Sequence, residues 1–248
     1  MINVRHLNKI SNKKKILNDI SLNIYPGEVT ALVGDLDSGN IELLKSLDQA
    51  TSDNKGHVWL DGEDIRYLNK YEKADFQSHV GVISTQNNLN PKHSLIENLL
   101  HDKWYKNLSL RDVLWVYPEG QKKLSIQLLA KVNLKSHFNE SVSDLNTRRI
   151  ERFKLAKVLY DQPSLVLCYE PVFDEAPATT FLIMDTLKTY ASKQNASVVI
   201  ASTNSEVMRQ YADHLIVMRN GRVIADESTK HADSRIFSVN HDRPVANA

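Results

Sequence analysis

The sequence lacks several features that assign a protein to a specialised class. One cysteine, Cys168, in 248 residues excludes an internal disulfide framework and fits a reducing compartment. Lys and Arg number 31 against 30 Asp and Glu, so the net charge of +1 indicates no bulk attraction to nucleic acid or anionic membranes. No apolar run reaches the roughly 18 residues of a transmembrane helix, and residues 1–5 lack the apolar core of a signal peptide.

Glycine is also scarce, with eight residues in the chain. Doubly wound nucleotide-binding proteins use glycine freely in their tight phosphate loops, because it tolerates left-handed backbone and lets the main chain approach a ligand. The remaining composition, 42 % apolar and 25 % charged, is ordinary for a soluble globular protein. The length suits one medium α/β domain, alone or with an inserted subdomain.

The most informative segment is residues 31–42, which has the outline of a phosphate-binding loop. Such a loop reads G-x-x-x-x-G-K-[ST] between a strand and a helix. Gly34 and Gly39 hold the two glycine positions, but Asn40 stands at the lysine position and Ile41 at the hydroxyl position. The groups that normally neutralise the phosphates and bind Mg²⁺ are therefore replaced.

Acidic residues make this loop less suited to an anion. Asp35, Asp37 and Glu42 lie in or beside it, and each carboxylate would repel a phosphate. An ordinary turn, with Asp37 or Ser38 capping the next helix, is the alternative interpretation, and the loop alone leaves both open. If the loop does bind nucleotide, the candidate contacts are Gly34, Asp35, Leu36, Asp37, Ser38, Gly39, Asn40, Ile41 and Glu42.

Apolar patterning predicts an α/β fold. Antiparallel strands are expected over residues 3–8 and 16–24, buried strands over 29–33, 80–84, 165–168 and 198–201, and a hairpin over 215–224. A helical pattern runs from Ser94 to about Leu159, between two of the buried strands. The expected core positions of the sheet are Leu32, Val33, Val82, Ile83, Leu165, Val166, Leu167, Val199 and Ile200.

Further motifs, taken in order, resemble the nucleotide-binding subunits of ABC transporters over nearly all of residues 1–228. Residues 26–34 resemble the entry into the Walker A loop, and residues 83–86 fall at the Q-loop. Residues 164–171 resemble the Walker B strand with its catalytic glutamate, and residues 211–221 the closing hairpin. Residues 183–187 and the helical region with Trp104, Trp115 and residues 119–121 resemble the phosphonate-import ATPases, the members of the family that the chain looks most like.

The resemblance implies a P-loop NTPase-like α/β core with an antiparallel β edge and an inserted helical subdomain. Residues 1–228 would form the nucleotide-binding domain, with the helical subdomain at about 87–160, and residues 229–248 a polar tail. The implied cofactors are ATP and Mg²⁺. The implied partners are membrane permease subunits and a second nucleotide-binding subunit, in a homodimer or heterodimer, with no nucleic acid. The implied location is the cytoplasm, at the inner face of the cell membrane.

Carried over residue by residue, the family's catalytic glutamate is Glu170. Thr85 aligns with the Q-loop glutamine and Gln86 is its neighbour, while Tyr169 replaces the Walker B aspartate. The signature L-S-G-G-Q reads L-N-T-R-R at residues 145–149. Thr203 aligns with the switch histidine and Ser11 with the aromatic that stacks on adenine. None of the nine histidines has metal-ligand spacing, so no metal site is predicted among them.

Three functions remain open from the sequence. The first is an ABC-type subunit that keeps the fold and its permease contacts but binds and hydrolyses ATP poorly or not at all, a pseudo-ATPase. The second is an active import ATPase in which other residues compensate for the replaced ones. The third is a scaffold or binding protein outside transport that reuses the fold.

Overall fold

The computed structural model describes residues 1–11, 13–48, 55–84, 89–104, 119–169 and 177–229, with residues 101–104 as backbone alone. The strands in these ranges are β1 (Ile2–Ser11), β2 (Lys14–Ile24), β3 (Val29–Val33), β4 (Lys55–Leu60), β5 (Glu63–Asp64), β6 (Val80–Ile83), β7 (Leu165–Tyr169), β8 (Ser197–Ser202), β9 (His214–Arg219) and β10 (Arg222–Ser228). The helices are α1 (Asn40–Asp48), α2 (Lys70–Ser78), α3 (Leu95–Trp104), α4 (Glu119–Lys131), α5 (Thr147–Tyr160), α6 (Pro177–Gln194) and α7 (Ser205–Tyr211).

A six-stranded sheet in the order β10-β9-β3-β8-β7-β6 forms the centre of the fold. Its strands are parallel except β10, which pairs antiparallel with β9. All residues of β3 and β8 are buried, as expected for parallel strands that are covered on both faces. The mixed α/β class predicted from the apolar runs is confirmed.

The predicted antiparallel edge is a separate four-stranded sheet in the order β2-β1-β4-β5. Its apolar face and one face of the large sheet enclose α1, so Leu43 and Leu44 of this helix are fully buried between them. This cluster also contains Leu17 of β2 and Leu32 of β3. Helix α1 therefore starts at the loop of interest and is held between two sheets.

The other face of the large sheet is covered by helices. The fully buried Phe153 of α5 and Leu187 of α6 share this second cluster with Val166 and Ile200 of the sheet. Helices α3, α4 and α5 follow β6 and precede β7 in the chain, where the sequence predicts a helical block. The exact division into a subdomain at about 87–160 and a tail at 229–248 stays a prediction.

Two details of the fold differ from the sequence-based expectation. Val82 is 37 % exposed and does not belong to the core, because β6 is the edge strand of the sheet. Successive residues of a strand face opposite sides, so Gly81 and Ile83 face the helices and Val82 faces away from them. Helix α2 has no counterpart in the predicted pattern, because Phe76 is its one buried residue. The feature that marks α2 in the sequence is the capping box of Asn69 and Glu72 at its start, and not an apolar stripe along its length.

Candidate functional site

The loop between β3 and α1 is tied to the segments around it by backbone hydrogen bonds. The Gly34 N–H donates to the carbonyl of Ser202 at 3.3 Å, and the Gly221 N–H donates to the carbonyl of Ser38 at 2.9 Å. Gly39 has a φ of 89°, and a Cβ there would lie 2.9 Å from the Ile16 carbonyl oxygen. A glycine is therefore required at this position by the fold itself.

Ser38 fills the inside of the loop. It is 2 % exposed, and a Cβ added to Gly34 would lie 2.5 Å from the Cβ of Ser38. Its N–H donates to the Asp35 carbonyl at 2.9 Å, and its hydroxyl oxygen accepts from the Asn40 N–H at 3.3 Å. Of the two residues predicted as possible helix caps, Ser38 is the one whose side chain accepts a bond at the start of α1.

Asn40, at the position of the family's lysine, points into the protein. It is 1 % exposed, and its Nδ2 lies 3.4 Å from the Leu32 carbonyl oxygen, 3.5 Å from that of Gly34 and 3.4 Å from that of Ser202. Its Oδ1 accepts a bond from the Ile41 N–H at 2.7 Å. The amide thus joins the carboxyl ends of β3 and β8 to the first turn of α1.

Several N–H groups of the loop consequently have acceptors within the protein. These groups belong to Gly34, Ser38, Asn40 and Ile41. A phosphate binds at a helix N-terminus because the first N–H groups there lack intrahelical partners and point outward. An anion at this loop would have to compete with acceptors that are already in place.

The three carboxylates of the loop differ in their surroundings. Asp35 and Asp37 are exposed, whereas Glu42 forms ion pairs with Lys9 at 2.8 Å and Lys45 at 2.7 Å. Burial alone would raise the pKa of Glu42, but hydrogen bonds from Lys45 and Lys9 outweigh it and lower the pKa. The expectation that Glu42 repels a phosphate is therefore weakened, because two cations neutralise its charge.

Tyr169 ends β7 and packs beside α1. Its hydroxyl is buried and has no hydrogen-bond partner within the part of the chain that the structure describes. Burial, followed by the negative charges of Asp48 and Glu42, raises the pKa of Tyr169, so the phenol stays protonated. Burial also raises the pKa of Asp48. A neutral phenol stands where the family pattern has a carboxylate.

The family profile described as ABC transporter matches residues 17–173. This match covers more than half of the chain. The chain belongs to the ABC transporter ATPase family. The resemblance read from the order of the motifs is thus confirmed.

Two curated relatives that share one name match almost the full length of this chain. The Phosphonates import ATP-binding protein PhnC of Lactiplantibacillus plantarum is 28 % identical over 245 residues, covering 98 % of this chain and 96 % of the relative. The protein of the same name from Shouchella clausii is 28 % identical over 246 residues, covering 99 % and 92 %. The similarity therefore extends beyond the segment that the family profile matches.

Solved structures confirm the cassette fold. An ATP-binding cassette of an ABC transporter in its ADP conformation aligns with a TM-score of 0.80 at 19 % identity, covering 97 % of this chain and 98 % of that one. A dimeric bacterial ABC transporter cassette aligns with a TM-score of 0.78 at 21 % identity, covering 92 % and 99 %. Among the described residues of this cassette, no helix is long and apolar enough to cross a membrane.

At two other family motifs of this cassette, asparagine caps a helix. The Asn146 side chain accepts from the Arg149 N–H at 3.0 Å at the start of α5, where the family has its signature. The Asn204 side chain accepts from the Val207 N–H at 3.0 Å, one residue after the exposed Thr203 at the switch position. Local helix capping thus accounts for both asparagines.

Three predicted site residues lie outside the described residues, namely Glu170, Thr85 and Gln86. Their roles as catalytic base and Q-loop contacts stay predictions. The loop residues from Gly34 to Glu42 lie together between β3 and the first turn of α1, and their role as nucleotide contacts also stays a prediction. Sequence reasoning missed Lys9 and Ser202, which contact Glu42 and Asn40 from distant strands, and neither belongs to a recognisable motif.

Replacing Tyr169 with phenylalanine is expected to leave the free energy of unfolding unchanged or to raise it by up to about 1 kcal/mol. The substitution removes a buried hydroxyl that has no hydrogen-bond partner among the described residues, and removing such a hydroxyl is neutral or stabilising. Tyr190→Phe is the matched control, because the Tyr190 hydroxyl donates to the Pro163 carbonyl at 2.7 Å. The control should lose about 0.5–1.5 kcal/mol in urea denaturation. Equal losses of unfolding free energy in both variants would show that the Tyr169 hydroxyl does have a hydrogen-bond partner.

Proposed function

We propose that this chain is an ABC cassette of phosphonate or related oxyanion import that binds ATP weakly and hydrolyses it little or not at all. The name and near-complete coverage of the curated relatives support the transport setting. In this setting the chain acts in the cytoplasm, bound to membrane permease subunits and paired with a second nucleotide-binding subunit. Known dimeric cassettes of the same fold support the pairing.

The inward position of Asn40 carries the proposal. An ABC-type Walker A loop holds the β- and γ-phosphates with a lysine and with outward backbone N–H groups. Here the Asn40 side chain stands at the lysine position, is 1 % exposed and uncharged, and accepts a hydrogen bond from the Ile41 N–H. The Ile41 side chain has no oxygen for Mg²⁺, so the loop lacks both the lysine cation and the hydroxyl that would bind the metal.

The described residues do not fit a bound Mg-ATP. Mg²⁺ prefers carboxylate and water oxygens in near-octahedral geometry, and the Walker B position offers the protonated phenol of Tyr169. Phosphoryl transfer depends mostly on positioning and on neutralising the phosphate charges. Even with Glu170 as a base, the chain would lack the groups that align the phosphate for attack.

Calorimetric titration with Mg-ATP and a phosphate-release assay test this function. The Lactiplantibacillus plantarum relative, purified in the same way, is the positive control. We expect no saturable binding of ATP at micromolar concentrations and turnover at the background of the assay. Micromolar affinity with turnover near ~1 s⁻¹, at the low end of ordinary enzymes, would favour the active ATPase instead. Failure to co-purify with any permease would favour a scaffold outside transport.

The double variant Asn40→Lys, Ile41→Ser restores the loop consensus but is expected to remain inactive. Tyr169 would still stand in place of the carboxylate that binds the metal, and the signature at residues 145–149 would still lack its glycines. The lysine would also remove the amide that joins Leu32, Gly34 and Ser202. Phosphate release measured beside the parent chain and the relative checks this, with circular dichroism as the folding control. Full hydrolysis by the double variant would show that the other replacements are compensated.

A further inference from the structure

A groove of about 440 Å³ opens beside α2, at the edge of the large sheet. Helix α2 forms one wall, and the β4–β5 hairpin forms the other. Its apolar lining consists of Leu60 and Leu68, which are half-buried, and of Ile65 and Phe76, which form the floor at 2 % and 8 % exposure. We refer to this feature as the α2 groove.

The α2 groove lies at the opposite end of the sheet from the loop at Gly34. Its lining includes His79, just before β6, and Ser164, just before β7. The His79 carbonyl accepts from the Ser164 N–H at 3.0 Å, which joins the beginnings of these two parallel strands. The loop follows the carboxyl end of β3. The groove is therefore spatially separate from the nucleotide site, and the inference drawn from it does not rest on the function proposed for that site.

The charged groups that line the groove are acidic. Glu63, Glu72 and Asp75 are exposed carboxylates, and the described lining contains neither lysine nor arginine. His79 lies 4.0 Å from the Asp75 carboxylate, and the Glu72 side chain accepts from the Asn69 N–H at 2.7 Å. The negative charge of this lining contrasts with the nearly balanced charge of the whole chain. The groove therefore favours a basic partner.

An exposed aromatic side chain stands at the rim. Tyr71 is 85 % exposed, although the groove beneath it is apolar. Tyrosine is enriched at protein interfaces, where it supplies a large contact area with a polar end. A small-molecule pocket encloses most of its ligand, whereas the α2 groove is open to solvent along the helix. These features fit a macromolecular partner better than a metabolite.

We propose that the α2 groove docks a basic amphipathic helix of a second protein. Such a helix places apolar residues at i, i+3 and i+4 into a hydrophobic groove, which is an established mode of peptide recognition. Its apolar stripe would contact the half-buried Leu60 and Leu68 above the floor that Phe76 forms, and Tyr71 would close over it. Its Lys and Arg side chains would face Glu63 and Asp75 at the rim.

A synthetic peptide of about 18 residues, five helical turns, with leucine at i, i+3 and i+4 and lysine elsewhere, is the probe. A second peptide carries glutamate in place of every lysine. Fluorescence anisotropy with the full chain should give saturable binding of the basic peptide and at least tenfold weaker binding of the acidic one. Amide NMR shifts should fall on Leu68, Tyr71 and Phe76.

Charge-removal variants separate docking from non-specific attraction. The Glu63→Gln, Asp75→Asn double variant should bind the basic peptide about threefold to tenfold more weakly, since rim charges contribute modestly. Glu206→Gln with Asp185→Asn, which removes two exposed acids from α7 and α6, is the matched control and should bind as the parent does. Glu72 is kept because it caps α2.

Three results would overturn the proposal. The first is equal weakening in both double variants, which would indicate a general charge effect. The second is a set of NMR shifts outside the groove. The third is displacement of the probe by a peptide of residues 230–248 with higher affinity than the probe, because the chain's own tail would then be the occupant.

Discussion

The Asn40→Asp variant is expected to lose about 3–5 kcal/mol of unfolding free energy, the usual cost of an uncompensated buried charge. The substitution changes shape very little, but it replaces the donating Nδ2 with an oxygen facing the carbonyls of Leu32, Gly34 and Ser202. A carboxylate that is 1 % exposed would have its pKa raised by burial and by these oxygens. The loss should therefore shrink as the pH falls through this raised folded-state pKa toward the unfolded value of about 3.9, because the carboxyl then takes up a proton and can donate a bond.

Urea denaturation at pH 7.5 and pH 4.5 measures this effect, with the m-value checked for two-state behaviour. Asn146→Asp is the matched control, because it makes the same chemical change at an exposed N-cap, where Asp is as favourable as Asn. The control should stay within about 0.5 kcal/mol of the parent at pH 7.5. If Asn40→Asp also stayed within that range, the amide would not be holding the three carbonyls.

Phe153→Ala is expected to lower the free energy of unfolding by about 3–5 kcal/mol. Phe153 is fully buried in α5 and belongs to the cluster that joins the helices to the large sheet. Truncation removes the apolar contacts and leaves a cavity that this tightly packed face can fill only in part. Guanidinium denaturation followed by circular dichroism measures the loss.

Phe181→Ala is the control for this substitution. Phe181 is 56 % exposed and contacts the Tyr211 ring edge-on at a centroid distance of 6.3 Å. Its truncation should cost no more than about 1 kcal/mol, the usual value of one aromatic contact. Similar losses for the two phenylalanines would mean that α5 is not packed as the structure has it.

The parallel strands and the closing hairpin are predictable from the sequence because their signals are local. The strand over residues 29–33 is observed as Val29–Val33 with every residue buried, as a continuous apolar run indicates. Asn220 and Gly221 both have positive φ, which explains the observed turn between β9 and β10. The position of α1 after the loop follows from the same kind of local pattern.

The details of the loop depend on residues that are distant in the sequence. Asn40 points inward because the carbonyl of Ser202, in a different strand, lies beside those of Leu32 and Gly34. Glu42 is neutralised by Lys9, which reaches it from β1. No spacing rule gives such pairs, since they depend on how two sheets enclose one helix. A motif indicates which backbone path the loop takes, but not where its side chains point.

Gly221 ties the loop to two further segments at once. Its N–H donates to the Ser38 carbonyl at 2.9 Å, and its own carbonyl accepts from the Asn18 N–H at 2.8 Å in β2. Any local opening of the loop must therefore separate three segments that lie far apart in the chain. The two bonds protect the amide protons of Gly221 and Asn18, and a single cooperative opening would make both exchange with solvent at one common rate.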